Sequence, residues 1–227
     1  MTQRFIQAGA NPTVIIKAGL DVTVTAVEGE RVTAETASRW GLQLEKKSAA
    51  EIARARATIG DFVLFDIHVK NPLRAEEADQ EVIEVQIGGS GQVSVPAGAS
   101  LKVYAGRDIQ VSGVSGQVDA YAGWDMALLK VFRVGHASAG RRMELDCQEL
   151  LASDVEFTAG SDLRFHAERL VSAHIRVKDL GGFWEGQIGA GERQVYLKSG
   201  GDVTLVTGEP VEPLPPNYVL GKIEKPA

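Results

Sequence analysis

Four aspartates stand at equivalent places in the chain: Asp108, Asp125, Asp162 and Asp202. A glycine precedes each by two residues, namely Gly106, Gly123, Gly160 and Gly200. Stacked in register, such carboxylates would offer hard oxygen ligands of the kind Ca²⁺ takes. Two features argue against that use. Arg142 and Gly182 occupy the corresponding place in other copies, and the short Gly- and Asp-rich repeat that binds Ca²⁺ in parallel β-rolls is absent. The set reads instead as turn-capping residues, each side chain bonding its own backbone just beyond the bend. No metal site is expected.

Other reactive residue types are scattered. His68, His136, His166 and His174 have no second His or Cys at ligand spacing. Cys147, the single cysteine, sits in the alternating run Met143–Cys147, where a small inward side chain is expected and no internal disulfide is possible. Gly88–Gly91 and Gly186–Gly191 lack the strand–glycine–helix context of a phosphate cradle. No nucleophile elbow, zinc-protease helix or Cys-x-x-Cys pair occurs. Acidic residues fall on outward positions without distinctive pairing, so carbohydrate cleavage by a carboxylate pair in a groove is only a third reading. No catalytic residue, cofactor site or cofactor is assigned, and the chain is expected not to be an enzyme.

The elements that carry the aspartates are more informative. Leu101 and Val103 alternate into Ala105-Gly106, and Asp108 leads into Ile109 and Val111. The same phrase returns with Val118, Ala120, Gly123, Asp125, Met126 and Leu128, then around Gly160 and Gly200. Period-two alternation puts the apolar set on one face of an extended strand. Glycine allows a left-handed backbone at the bend. Starts at Gly89, Ala105, Ala122, Ala139, Ala159, Asp179 and Ser199 give spacings of 16, 17, 17, 20, 20 and 20 residues. A strand–corner–strand unit cannot bury its face alone, whereas stacked copies cover one another. The expected fold is therefore all-β, a single-stranded, three-sided β-solenoid (β-helix) of about six or seven coils. An antiparallel sandwich or barrel is the competing arrangement.

The chain then divides into three parts. Residues 1–81 are expected to form a capping region of strands plus one short helix over 48–57, where Ser48 and Glu51 make a capping box before Ile52–Ala57. Residues 82–207 form the solenoid. Residues 208–227 carry five of the eight prolines and read as an extended strap. Tyr218, Val219, Leu220 and Ile223 would anchor that strap on its own chain or on a neighbouring subunit. Trp124, at the variable corner position, would either pack on the helix or strap or serve as an interface anchor.

With 227 residues, 44% hydrophobic and 24% charged, the chain is globular. A net charge of −6 lacks the basic stripe of a nucleic-acid binder. The opening MTQRFIQAGANPTV has no apolar core of a signal peptide, and no run approaches transmembrane length. A cytoplasmic protein is expected, with export by a route lacking a cleavable signal left open.

The run VYAGRDIQVSGVSGQVDAYAGWD resembles the adhesin-type bacterial β-solenoid domains of unknown function. The resemblance covers about 82–207 and, more faintly, 14–35. A second resemblance is to bactofilins, cytoskeletal β-helices that polymerise end to end without nucleotide. The irregular period and the larger N-terminal region depart from that pattern. Neither resemblance implies catalytic residues. A solenoid's end coils present unpaired backbone that must be capped or paired with another copy, so the expected function is a non-enzymatic structural protein that self-assembles into a filament or scaffold, as a homo-oligomer or polymer. The alternative is an adhesin-like module presenting a β-face to a protein or glycan partner.

Overall fold

The computed structural model describes residues 1–48, 81–150, 154–170 and 172–213. Among these the chain is all-β: nineteen strands share one hydrogen-bonded sheet, and there is no helix. The helix expected over 48–57 lies outside the described residues except for Ser48, the last residue of a strand. Tyr218, Val219, Leu220 and Ile223 also lie outside them.

The strands pair in two ladders. The first runs in the spatial order β5 (Leu42–Ser48), β6 (Glu81–Ile87), β2 (Thr13–Ala18), β8 (Ser100–Ala105), β10 (Gln117–Ala122), the second half of β11 (Met126–Ala139), β13 (Asp154–Ala159), β17 (Arg193–Ser199), β15 (Ala173–Asp179), β16 (Gly182–Ile188) and β19 (Glu212–Pro213). The second runs β1 (Thr2–Gln7), β4 (Arg31–Thr36), β7 (Gly91–Pro96), β3 (Val22–Val27), β9 (Ile109–Ser112), the first half of β11, β12 (Met143–Leu150), β14 (Leu163–Ala167) and β18 (Val203–Thr207). Pairing is parallel throughout the interior of both ladders. It turns antiparallel only towards the ends, at β5–β6, β1–β4, β4–β7, β15–β16 and β16–β19.

Alternation along each strand sends one set of side chains into a single core shared by both ladders. Leu101, Val103, Val118 and Ala120 enter it from the first ladder, and Ile109, Val111, Met126 and Leu128 from the second. Phe157 and Phe165 meet across it with ring centroids 5.4 Å apart. Each fully buried large side chain contributes roughly 1.5–3 kcal/mol. Cys147 lies in this core, and burial, followed by the neighbouring Asp146 charge, pushes its thiol up to about 12. It is an inert packing residue at neutral pH.

The ladders meet at a corner where backbones stack directly. Gly106, Gly123, Gly140, Gly160 and Gly200 form one column with Gly19. The amide of Gly106 donates to Ala18 O (3.1 Å), that of Gly123 to Ala105 O (3.0 Å), that of Gly160 to Ala139 O (3.0 Å) and that of Gly200 to Ala159 O (3.2 Å). The expectation of a left-handed backbone here is corrected, because none of these glycines has positive φ. Glycine is required for a different reason. A Cβ at Gly123 would press into the carbonyl oxygen of Gly106, and one at Gly160 into that of Gly140.

Two further expectations change. Strands β2 and β3, placed at first in a capping region, sit inside the ladders between the β6–β7 pair and the β8–β9 pair. The copy starting at Asp179 is not a corner at all. Asp179–Gly182 closes the antiparallel β15–β16 hairpin, while β17 pairs directly with β13 and Gly200 stacks on Gly160. Gly182, at φ +132°, supplies the left-handed residue that a tight hairpin needs.

Candidate functional site

The corner aspartates line up beside the glycine column, and three of the four cap a neighbour rather than their own turn. Asp108 Oδ1 accepts from the Asp125 amide at 3.1 Å, and Asp125 Oδ1 accepts from the Arg142 amide at 3.1 Å. Asp162 Oδ1 accepts from the Asp202 amide at 3.2 Å. Each side chain thus satisfies a backbone donor of the next strand in the stack. Own-turn capping occurs where the corner is lost: Asp179 Oδ1 accepts from the amides of Gly181 (2.8 Å) and Gly182 (3.1 Å).

Arg142 fits into the acidic column rather than breaking it. Its Nη2 reaches Asp125 Oδ2 at 2.7 Å. Hydrogen bonding from that guanidinium, outweighing partial burial, holds the Asp125 carboxyl below its usual range. Among the described residues, no group of three or more His, Cys, Asp or Glu side chains converges as metal ligands would.

Trp124 is 44% exposed on the corner. It lies between the guanidinium of Arg107, 4.6 Å from the ring centroid, and that of Arg141 at 5.6 Å. The position after the glycine on three successive corners therefore forms an Arg–Trp–Arg stack.

A concavity of about 880 Å³ lies elsewhere, along the outer face of the first ladder. Two rows of outward side chains form its floor. One row carries Tyr104, Tyr121, Ser138 and Thr158 in direct register on β8, β10, β11 and β13. The other carries Lys102, Asp119, His136, Glu156 and Tyr196. The β15–β16 hairpin closes one end with Arg176, Phe183 and Glu185.

Several contacts fix this face. Tyr104 and Tyr121 stack with centroids 5.4 Å apart and planes 7° from parallel. Burial, then the neighbouring Tyr104 and Asp119, pushes the Tyr121 hydroxyl up to about 12, so it stays protonated. β11 bulges at Gly135, and Asp119 Oδ1 accepts from the His136 amide at 3.0 Å, which sets the His136 position. Arg176 Nε meets Glu185 Oε1 at 3.1 Å. Beyond Tyr104, Glu84 on β6 is buried under Lys17 (2.6 Å) and Lys47. Burial opposes its ionisation, yet hydrogen bonds from the two lysines outweigh it and hold the carboxyl at about 2.

Of the residues singled out in the sequence, the structure gathers the corner glycines and aspartates into columns and puts Trp124 beside them. The groove-lining tyrosines were not singled out. Their signal was present, since Tyr104 and Tyr121 are one period of 17 residues apart at outward positions.

No family model matches the chain, and no curated protein does. A crystal structure of a proposed cell adhesion protein from Clostridium sporogenes ATCC 15579 is a distant structural match. The identity is 8% and the TM-score 0.42, with 91% of this chain and 99% of that chain covered. That likeness is too slight to carry an argument about function. Among the described residues, no helix is long and apolar enough to cross a membrane.

Proposed function

We propose that this chain is a non-enzymatic β-solenoid that works as an adhesin-like binding module, presenting the outer face of its first ladder to a partner. Support for the solenoid comes from the parallel pairing inside both ladders and from the single glycine column. The observation that carries the binding reading is the groove of about 880 Å³, where aromatic rings and mixed charges line a floor whose backbone is already paired. Concave, partly apolar sites with a few placed polar groups are the usual form of ligand sites.

Self-assembly into a filament or scaffold, the bactofilin-like arrangement, is the second reading. It is favoured by β18, which pairs with β14 on one side and has no further strand partner among the described residues. An open edge can recruit another copy. The opposite end weighs against it, since antiparallel β4 and β5 interrupt the parallel register there. Electron microscopy and light scattering of the purified chain separate the two readings. Discrete particles at high concentration are expected. Regular filaments would replace the binding module with a polymer.

A further inference from the structure

We propose that the groove on the first ladder binds a neutral oligosaccharide chain, laid along the stacking axis and therefore across the strands. This rests on the binding-module reading above and names its ligand class.

The groove offers no free strand edge. Strands β8, β10, β11 and β13 have neighbours on both sides. Their amides and carbonyls are spent on those ladders, so a peptide cannot add to the floor as another strand. Recognition must come from side chains alone.

Those side chains suit a polyhydroxylated ligand. Asp119, Glu156 and Glu185 accept hydrogen bonds, while Lys102 and Arg176 donate. A sugar hydroxyl does both, so it can meet either kind of group. The charges nearly cancel, two cations against three carboxylates. Neither a polyanion such as nucleic acid nor a polycation gains from such a field.

The layout is also graded along the axis. The stacked pair Tyr104–Tyr121 stands at one end, and Tyr196 with Phe183 towards the other. Small hydroxyls, Ser138 and Thr158, lie on the row between. Rings at both ends offer apolar area to the C–H faces of sugar units, and the low centre leaves room for a continuous chain. Neighbouring strands are about 4.8 Å apart, so the polar groups recur at about the size of one sugar unit.

The test is calorimetric titration of the full chain with cellohexaose, chitohexaose, mannohexaose and maltohexaose, beside one acidic and one basic twelve-residue peptide. At least one hexasaccharide is expected to bind with Kd below about 1 mM. Ser138→Arg, which fills the open centre without touching the core, is expected to abolish that binding. Tyr121→Ala is expected to weaken it at least tenfold. Thr204→Arg, on the outer face of the second ladder, should leave it unchanged. Circular dichroism confirms that each variant is folded, and Thr158→Arg replaces Ser138→Arg if the latter is not. Binding of no hexasaccharide, or binding indifferent to the arginine at the groove centre, overturns the proposal. Peptide binding without sugar binding overturns the ligand class and leaves the module reading standing. Hydrolysis of a bound hexasaccharide supports the ligand class while overturning the non-enzymatic reading.

Discussion

The glycine corner and the groove face are built on the same strands, only two residues apart at Tyr121 and Gly123, yet different physics governs them. At the corner one backbone lies against the next, with amide-to-carbonyl bonds of 3.0–3.2 Å linking Gly106, Gly123, Gly140, Gly160 and Gly200 to the strands before them. No volume is left there, so the residue type is dictated by fold alone. On the groove face the backbone is equally well paired, but side chains point away from the core, and many residues would serve the strand. The identities of Tyr121, Asp119 or Glu156 are therefore free to answer to something other than stability. A repeat announces architecture at its constrained positions and function at its unconstrained ones.

The sharpest way to break this contrast is to add one methyl group at the corner. Gly123→Ala drives a Cβ into the Gly106 carbonyl, a backbone atom that cannot swing aside. Destabilisation of about 3–5 kcal/mol is expected by chemical denaturation. Gly9→Ala is the matched control, since nothing lies within 4 Å of a Cβ there, and a change within about 0.5 kcal/mol is expected. Equal effects at both sites would show that the corner column is not close-packed.

A smaller effect is expected where the outer face of the first ladder does bury charge. Glu84 ties β6 to Lys17 on β2 and to Lys47 on β5. Glu84→Gln should cost about 1–3 kcal/mol, because one of the two ammonium groups loses its acceptor and both lose the carboxylate charge. The pH dependence has a definite sign. The folded-state carboxyl sits at about 2 against an ordinary 4.5, so its contribution is complete above pH 4.5 and lost as pH falls through about 2. Acid titration of the folded fraction should lose this component in the variant.

Smaller again is Asp125→Ala, at about 1 kcal/mol. It leaves the Arg142 amide without its side-chain acceptor. Asp125→Asn should cost less, because the amide oxygen can still accept. The wild-type carboxyl is held below its ordinary value by hydrogen bonding from Arg142, so this stabilisation also fades on acidification. Thermal melts of the two variants at neutral and acid pH provide the check.

The same contrast explains what could be read from the chain before its structure. Spacings of 17 and 20 residues between Gly106, Gly123, Gly140 and Gly160 were legible because close packing permits no other residue. The reason for glycine was not legible, since sequence alone does not separate a positive φ from a close approach. Nor was the partner of each aspartate. Asp108 and Asp179 both stand two residues from a glycine, yet the first reaches across to Asp125 and the second folds back on Gly181. The paired glycines at 181 and 182 were the missed sign of a hairpin. The placement of β2–β3 inside the ladders left no local trace, because it depends on strands separated from them by many tens of residues. The groove lay in outward positions that an inward-facing apolar pattern passes over.

The smallest stability change is expected from Tyr121→Phe, within about 0.5 kcal/mol at neutral pH. The ring can keep its stack on Tyr104, and only the hydroxyl is removed. The wild-type hydroxyl is pushed up to about 12 from an ordinary 10, first by burial and then by Tyr104 and Asp119. A raised value in the folded state gives a contribution present below pH 10 and lost as pH climbs through about 12. Tyrosinate absorbance should therefore show one late-titrating group in the wild type that is missing from the variant. If Tyr121→Phe instead destabilised the chain as much as Gly123→Ala, the groove face would be as fold-bound as the corner, and its residues would lose their claim to a separate purpose.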